Sequence, residues 1–108
     1  MMRGDLVTIA MQGDYGKPRP ALVIQSDHFS EHSSVTVLPI TRTLVDAPLL
    51  RVQVEPSAED GLNTPSQVLV DKTMTVNRDK VGPAFGRMEA DVLVEVERRL
   101  AVFLGIAK

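Results

Sequence analysis

The sequence opens with Arg3-Gly4-Asp5-Leu6-Val7 and continues, after a glycine-containing segment, into Lys17-Pro18-Arg19-Pro20-Ala21-Leu22-Val23-Ile24. Each stretch runs from polar residues into an apolar, strand-like segment. Proline fixes its own φ at about −65° and restricts the residue before it, so Arg19 lies in stiff backbone at the start of the second strand. An arginine held in this way presents its planar set of N–H donors to a phosphate at little entropic cost.

The composition indicates one small globular domain. The chain has 108 residues, of which 44% are hydrophobic, and a formal net charge of −2. We expect a single domain over residues 1–108. The absence of cysteine excludes disulfides, thiolate metal sites and a cysteine nucleophile. The acidic balance excludes a globally basic nucleic-acid binder and leaves room for a local basic groove.

Neither a membrane segment nor a secretory signal is evident. No apolar run has the length that a bilayer span requires, and the first residues lack the apolar core of a signal peptide. We therefore expect a cytoplasmic protein with no membrane partner.

Short apolar segments separated by turn signals predict a sheet. The predicted strands are Leu6–Ala10, Pro20–Gln25, Val35–Ile40, Leu49–Val54, Val68–Val70 and Thr73–Val76. The segment Pro20–Gln25 is apolar on both faces, which indicates a central strand. Near the C-terminus, Val92, Val96, Leu100 and Phe103 recur at helical spacing, and Gly105 follows them as a stop signal. The expected fold is mainly β with helices (α+β), a curved antiparallel sheet or small barrel covered by a C-terminal amphipathic helix.

Metal and cofactor sites are not expected. His28 and His32 have the i,i+4 spacing of a metal-binding pair, but no third ligand follows at a recognisable spacing. We interpret them as surface histidines. The sequence also lacks a glycine-rich phosphate loop and a nucleophile elbow.

The two opening stretches and Leu38-Pro39-Ile40-Thr41-Arg42-Thr43 together resemble the MazF/PemK family. Its members are small, ribosome-independent endoribonucleases of type II toxin–antitoxin modules. The resemblance runs from Arg3 to Gly105 and implies an SH3-like barrel core. It also implies a metal-independent mRNA interferase that cleaves single-stranded RNA by attack of a 2′-oxygen on the adjacent phosphate and thereby arrests growth.

The same resemblance implies the partners. We expect a homodimer with an RNA groove along the dimer interface. A cognate antitoxin is expected to place an acidic, partly disordered tail in that groove, and operator DNA is expected to be contacted only through the antitoxin.

Three residues are candidates for catalysis by this resemblance. Arg19 supplies fixed positive charge and Thr41 a hydroxyl donor to the phosphate in the transition state. Arginine stays protonated because its pKa exceeds about 12, so the role of Arg19 is electrostatic. Asp71 either accepts a proton or orients Arg19, and a turn-forming role between two strands explains it equally well.

Four further residues are candidates for RNA binding: Tyr15, Lys17, Arg42 and Lys72. Tyr15 is the single tyrosine of the chain, and it either stacks on a base or packs over the open end of the barrel. Relatives often carry glutamine and arginine where this chain has Lys72 and Met74, and some place an arginine where it has Leu69. The loop Met11–Lys17 is also short for the family.

Two alternative functions stay open from the sequence. One is a CcdB-like poison that acts on DNA gyrase by contact alone, because Phe103-Leu104-Gly105-Ile106 partly matches the C-terminal contact of those proteins. The other is a catalytically inactive family member that keeps its antitoxin binding.

Overall fold

The fold is a curled antiparallel sheet with one C-terminal helix. The structure is a computed structural model that describes residues 1–10 and 17–108. Within these residues the strands are β1 (Asp5–Ala10), β2 (Pro18–Val23), β3 (Ser34–Thr41), β4 (Arg51–Val54), β5 (Ser66–Leu69), β6 (Met74–Asn77) and β7 (Gly86–Arg87). The helix α1 spans Ala90–Phe103, and single 3-10 turns lie at Asp27–Phe29 and Arg78–Lys80. The expected fold class is confirmed.

The strand β3 is the hub of the sheet. The strand order is β4-β5-β3-β2-β1-β7, and β6 pairs with the first half of β3. Val37 pairs with Val23 of β2 and also with Met74 of β6, so these two strands occupy opposite edges of β3. Further along, β5 takes over from β6 and pairs through Ile40 and Thr41. The end of β3 therefore lies between β5 and the start of β2.

Side-chain alternation divides the interior into two apolar clusters. In β3, Val35 and Val37 enter one cluster, while Leu38 and Ile40 enter the other. We call the cluster of Leu38 and Ile40 the helix-side core, because Val96 of α1 is buried in it. We call the other the far-side core; its buried members are Val7, Ile9, Ala21, Val23, Val35 and Val37.

The opening Arg3-Gly4-Asp5 stretch has a structural role. Gly4 has φ +93°, and its N–H donates to the carbonyl of Val23 at 2.9 Å. The Arg3 guanidinium donates to the carbonyl of Ile24 and lies 3.4 Å from a carboxylate oxygen of Glu97 on α1. These residues join β1, the end of β2 and the helix.

Several predicted boundaries were wrong. β2 begins at Pro18, two residues early, because the fixed φ of proline suits extended backbone and costs only the missing N–H. β4 begins at Arg51 because Leu49 and Leu50 form a turn, in which the Leu50 N–H donates to the carbonyl of Ala47 at 2.9 Å. β5 ends at Leu69, while Val70 turns away and is still fully buried.

The apolar stripe of α1 is only partly buried. Val96 is buried, and Val92, Leu93 and Leu100 pack against the helix-side core. Phe103, by contrast, is 47% exposed, because the helix runs past the end of the core there. The exposed apolar group continues into Leu104 and Ile106.

Candidate functional site

Arg19 is the second residue of β2, between two prolines, and it is exposed. It lies opposite Ile9 in the register of β1 and β2. Because side chains alternate along a strand, Arg19 emerges on the same face as Ala21 and Val23, which are buried in the far-side core. The arginine thus stands at the rim of that core, on rigid backbone.

Thr41 ends β3 and is half-buried. The register of β2 and β3 pairs Ala21 with Pro39. Continuing that antiparallel register by two residues on each strand sets Arg19 opposite Thr41. Thr41 and Pro39 also share the face of Val37, so the guanidinium and the hydroxyl emerge on one face of the sheet, at one end of two neighbouring strands.

A local hydrogen bond orients the Thr41 hydroxyl. Its Oγ1 accepts from the backbone N–H of Thr43 at 3.1 Å, which is a threonine turn. A hydroxyl has two lone pairs and one proton, so this bond uses an acceptor position and not the proton. Arg42, between the two threonines, is exposed.

Gln67 lies beside Thr41 and is a residue that the sequence interpretation missed. It pairs with Thr41 across β3 and β5 and with Gln53 across β4 and β5. Only 7% of the residue is exposed. Its one sequence signal was a polar side chain inside the apolar run Ser66–Val70, which predicts a buried amide with partners.

Asp71 and Lys72 lie in the turn after β5, on the edge of β3 that faces away from β2. The Lys72 ammonium is 3.5 Å from a carboxylate oxygen of Asp71. Lys72 is 63% exposed, whereas the Asp71 side chain is 21% exposed. The turn lies beside the part of β3 between its pairings with β6 at Val37 and with β5 at Ile40, so it is separated from Arg19 by β3 and also displaced along β3 from Thr41.

The remaining RNA-binding candidates divide by position. Lys17 directly precedes β2 and is exposed at the same end of the sheet as Arg19. Tyr15 lies outside the described residues. Lys17 and Arg42 are therefore two exposed basic residues that flank Arg19 and Thr41.

Two other arginines serve the fold. Arg78 donates to the carbonyl of His32 at 2.8 Å and to that of Ser30. Arg87 pairs with Asp5 and donates to the carbonyl of Arg3 at 3.0 Å. Both guanidinium groups therefore hydrogen-bond to loop backbone.

The acidic groups near β7 perturb one another. A side-chain hydrogen bond with Glu89, together with the repulsion between the two carboxylates, raises the pKa of Glu59 above its usual value. The Arg87 guanidinium opposes this rise. Glu59 lies in the loop before β5, and Glu89 lies between β7 and α1.

The histidine pair has no metal-site geometry around it. His28 and His32 are both exposed, and the rings of Phe29 and His32 meet edge-on at 6.4 Å. Residues 1–10 and 17–108 contain no group of three or more histidine or carboxylate side chains that is arranged to hold a metal ion. In the same residues, no helix has both the length and the apolar character that a membrane crossing demands.

Comparisons with known proteins assign the family. The sequence profile of the family described as "PemK-like, MazF-like toxin of type II toxin-antitoxin system" matches residues 2–104. The chain is 48% identical over 108 residues to "Probable endoribonuclease MazF" of Mycolicibacterium smegmatis, which covers 99% of each chain.

Solved structures agree with this assignment. The Mycobacterium tuberculosis toxin MazF-mt6 superposes with a TM-score of 0.78 at 28% identity, covering 95% of this chain and 99% of the other. A MazE–MazF crystal structure from Deinococcus radiodurans superposes with a TM-score of 0.78 at 26% identity, covering 97% of this chain and 96% of the other.

Proposed function

The chain belongs to the family of PemK-like, MazF-like toxins of type II toxin–antitoxin systems, and we propose that it is an endoribonuclease that cleaves single-stranded RNA at the strand end bearing Arg19 and Thr41. The observation that supports this proposal is that Arg19 and Thr41 lie on the same face of the sheet, at the same end of the neighbouring strands β2 and β3. A charged donor and a neutral donor there converge on one phosphate.

The reaction that suits these donors is transfer of the phosphate to the neighbouring 2′-oxygen. The 2′-oxygen loses its proton and attacks the 3′-phosphate, and the bond to the 5′-oxygen of the next nucleotide breaks. That oxygen takes up a proton from water and leaves as a 5′-hydroxyl, while a 2′,3′-cyclic phosphate remains on the other product. Negative charge develops on the phosphate oxygens, where preorganised donors stabilise it. Arg19 supplies the fixed charge and Thr41 the hydroxyl proton.

Arg19 is a poor candidate for moving the protons, because a guanidinium offers hydrogen-bond donors and fixed charge but no acceptor. Asp71 is the candidate carboxylate on the far edge of β3. At least two strand spacings, about 10 Å, separate it from β2, so it does not contact Arg19 directly and acts only on RNA that crosses β3. We propose it as an acceptor for the 2′ proton.

The surroundings of the site suit an anionic chain. Lys17, Arg42 and Lys72 are exposed cations on either side of β3, and we propose that they contact RNA phosphates. The same groups suit the acidic, partly disordered tail of a cognate antitoxin, which orders on binding. We propose a cytoplasmic homodimer in which Phe103, Leu104 and other exposed apolar groups find a partner surface.

A gyrase poison is not favoured. The matching family profile is that of PemK-like and MazF-like toxins, and the relative at 48% identity is named an endoribonuclease. That alternative rested on the partial match of Phe103–Ile106, with the acidic balance and the missing arginine after Asp71 as mild support.

The proposal is tested by mapping where the protein cuts RNA and by blocking the 2′-oxygen of the substrate. The protein is incubated in EDTA with a long single-stranded RNA, and the cut sites are mapped. Cleavage leaving 2′,3′-cyclic phosphate ends, abolished when a 2′-O-methyl group precedes the cut phosphate, is expected. Cleavage that survives the 2′-O-methyl group, or that needs added Mg²⁺, contradicts the mechanism. Growth arrest without any RNA cleavage favours the gyrase poison.

A further inference from the structure

We propose that Arg51 and Gln67 are positioning residues that hold the segment after β3 so that the Thr41 hydroxyl points its proton toward the phosphate. The proposal rests on the proposed nuclease function. Neither residue is proposed to touch RNA; both act through the backbone of residues 43–45.

The Gln67 amide satisfies all of its hydrogen-bonding capacity. Its Oε1 accepts from the backbone N–H of Val45 at 3.2 Å and from Arg51 at 2.9 Å. Its Nε2 donates to the carbonyl of Val45 at 3.0 Å and to Oε1 of Gln53 at 3.3 Å. An amide offers two donors and two acceptors, so none is left over for a ligand. Gln67 thus bonds to both the N–H and the carbonyl of Val45, and these two bonds attach residues 43–45 to β5.

Arg51 makes the second attachment. One terminal nitrogen, which carries two N–H groups, donates both to Gln67 and to the carbonyl of Thr43, the latter at 3.0 Å. The residue is half-buried at the start of β4. Its planar group therefore bridges the amide of β5 and the backbone two residues beyond Thr41.

The link to the site is Thr43. Its carbonyl is held by Arg51, and its N–H is the group that donates to Thr41 Oγ1 at 3.1 Å. That N–H occupies one lone pair of the hydroxyl and so limits the directions in which the hydroxyl proton can point. These two groups belong to successive peptides joined at the Cα of Thr43. When Arg51 no longer holds the carbonyl, the backbone of Thr43 can turn, its N–H can move away from Thr41 Oγ1, and the Thr41 hydroxyl loses its fixed orientation.

A purely structural role makes a different prediction. If these bonds only stabilised the fold, their loss would lower the melting temperature and leave the rate per folded molecule unchanged. If Arg51 bound RNA directly, its loss would raise KM. If Arg51 positions Thr41, the loss of Arg51 lowers kcat instead, and it does so only in a protein that still has Thr41.

The test is a double-mutant cycle on RNA cleavage in EDTA, with Arg51→Met, Thr41→Ala and the double variant. Methionine keeps the apolar stem of Arg51 and removes its donors. We expect kcat to fall about tenfold in Arg51→Met with KM little changed, since misplacing a reacting group by a fraction of an ångström has effects of this size. In the Thr41→Ala background the same change should have an effect of less than about twofold, because positioning acts only through the missing hydroxyl.

The controls separate folding from positioning. Arg98→Met removes an exposed arginine of α1 and should leave kcat unchanged, while Arg51→Lys, which keeps a donor, should recover part of the rate. Gln67→Met, which removes the bonds to Val45 and Arg51 without burying a charge, is combined with Thr41→Ala in the same cycle if Arg51→Met does not fold. Equal losses with and without Thr41, or a loss confined to KM, overturn the positioning role. A wild-type protein that cuts no RNA overturns the nuclease function itself, and the positioning role falls with it.

Discussion

The carbonyl oxygen of Asp60 lies so close to Gly86 that a Cβ added to Gly86 would stand 2.2 Å from it. Asp60 is fully buried, and its Oδ1 accepts from the backbone N–H of Ser57 at 3.0 Å and of Leu62 at 2.9 Å. These bonds brace the loop before β5 internally, and the Arg87 N–H of β7 donates to the carbonyl of Glu59 at 2.9 Å, which fixes the loop against β7.

Gly86→Ala is therefore expected to prevent stable folding, because the clash is with backbone and not with a flexible side chain. Gly105→Ala is the matched control. A Cβ there meets nothing within 4 Å, although φ is +75°. We expect that variant to fold with a free energy of unfolding lower by about 1–2 kcal/mol. Urea denaturation compares the two; equal stabilities would contradict the close packing of β7.

The ion pair between Asp5 and Arg87 should matter for stability and not for cleavage. Asp5 is 8% exposed and also accepts from the backbone N–H of Met2 at 2.8 Å. Asp5→Asn removes the charge while keeping the shape, and it should lower the free energy of unfolding by about 1–2 kcal/mol, since half of the Arg87 side chain is in water. Cleavage per folded molecule should stay at the wild-type value. A fall in that rate would place this pair in the site.

Stability should depend on pH through Glu59. Its raised pKa means that the folded state holds this proton more tightly than the unfolded state does, so the group stabilises at low pH and the contribution is lost as pH rises through the folded pKa. Glu59→Gln removes the repulsion with Glu89. We expect its melting temperature to exceed that of the wild type at pH 7.5 and to match it near pH 4. A difference that is the same at both values would exclude titration of Glu59 as its cause.

Antitoxin binding should be salt-dependent. If an acidic tail occupies the groove that bears Arg42 and Lys72, rising ionic strength should weaken the complex. Arg42→Glu should weaken it further, and Arg98→Glu on α1 serves as the control for a changed net charge. Titration calorimetry of the purified pair at several salt concentrations measures this. An affinity that neither salt nor Arg42→Glu changes would remove the acidic tail from this surface.

Local patterns predicted much of the fold and little of the side-chain network. The segment Pro20–Gln25, apolar on both faces, was enough to indicate a central strand: Ala21 and Val23 enter the far-side core, and Leu22 and Ile24 enter the helix-side core. The apparent alternation of Leu50 with Val52 misled the prediction of β4, because a turn residue next to a strand continues the same pattern by chance.

Long-range partners were out of reach of sequence patterns. Arg87 and Asp5 are 82 residues apart, and Arg78 and His32 are 46 residues apart. No local periodicity reports such contacts. The role of Gln67 depends on residues 43–45 folding back over β5, which the sequence of either segment alone does not indicate.

The central claim is that Arg19 stabilises the transition state for RNA cleavage, and its most direct test is the cleavage rate of Arg19→Ala in EDTA, with Arg98→Ala as control. Arg19 is exposed at a strand end, so the variant should fold like the wild type. Loss of one preorganised charged donor should lower kcat by about 10²–10³-fold. Thr41→Ala should be milder, since it removes a neutral donor. A folded Arg19→Ala protein that cuts RNA at the wild-type rate would contradict the account.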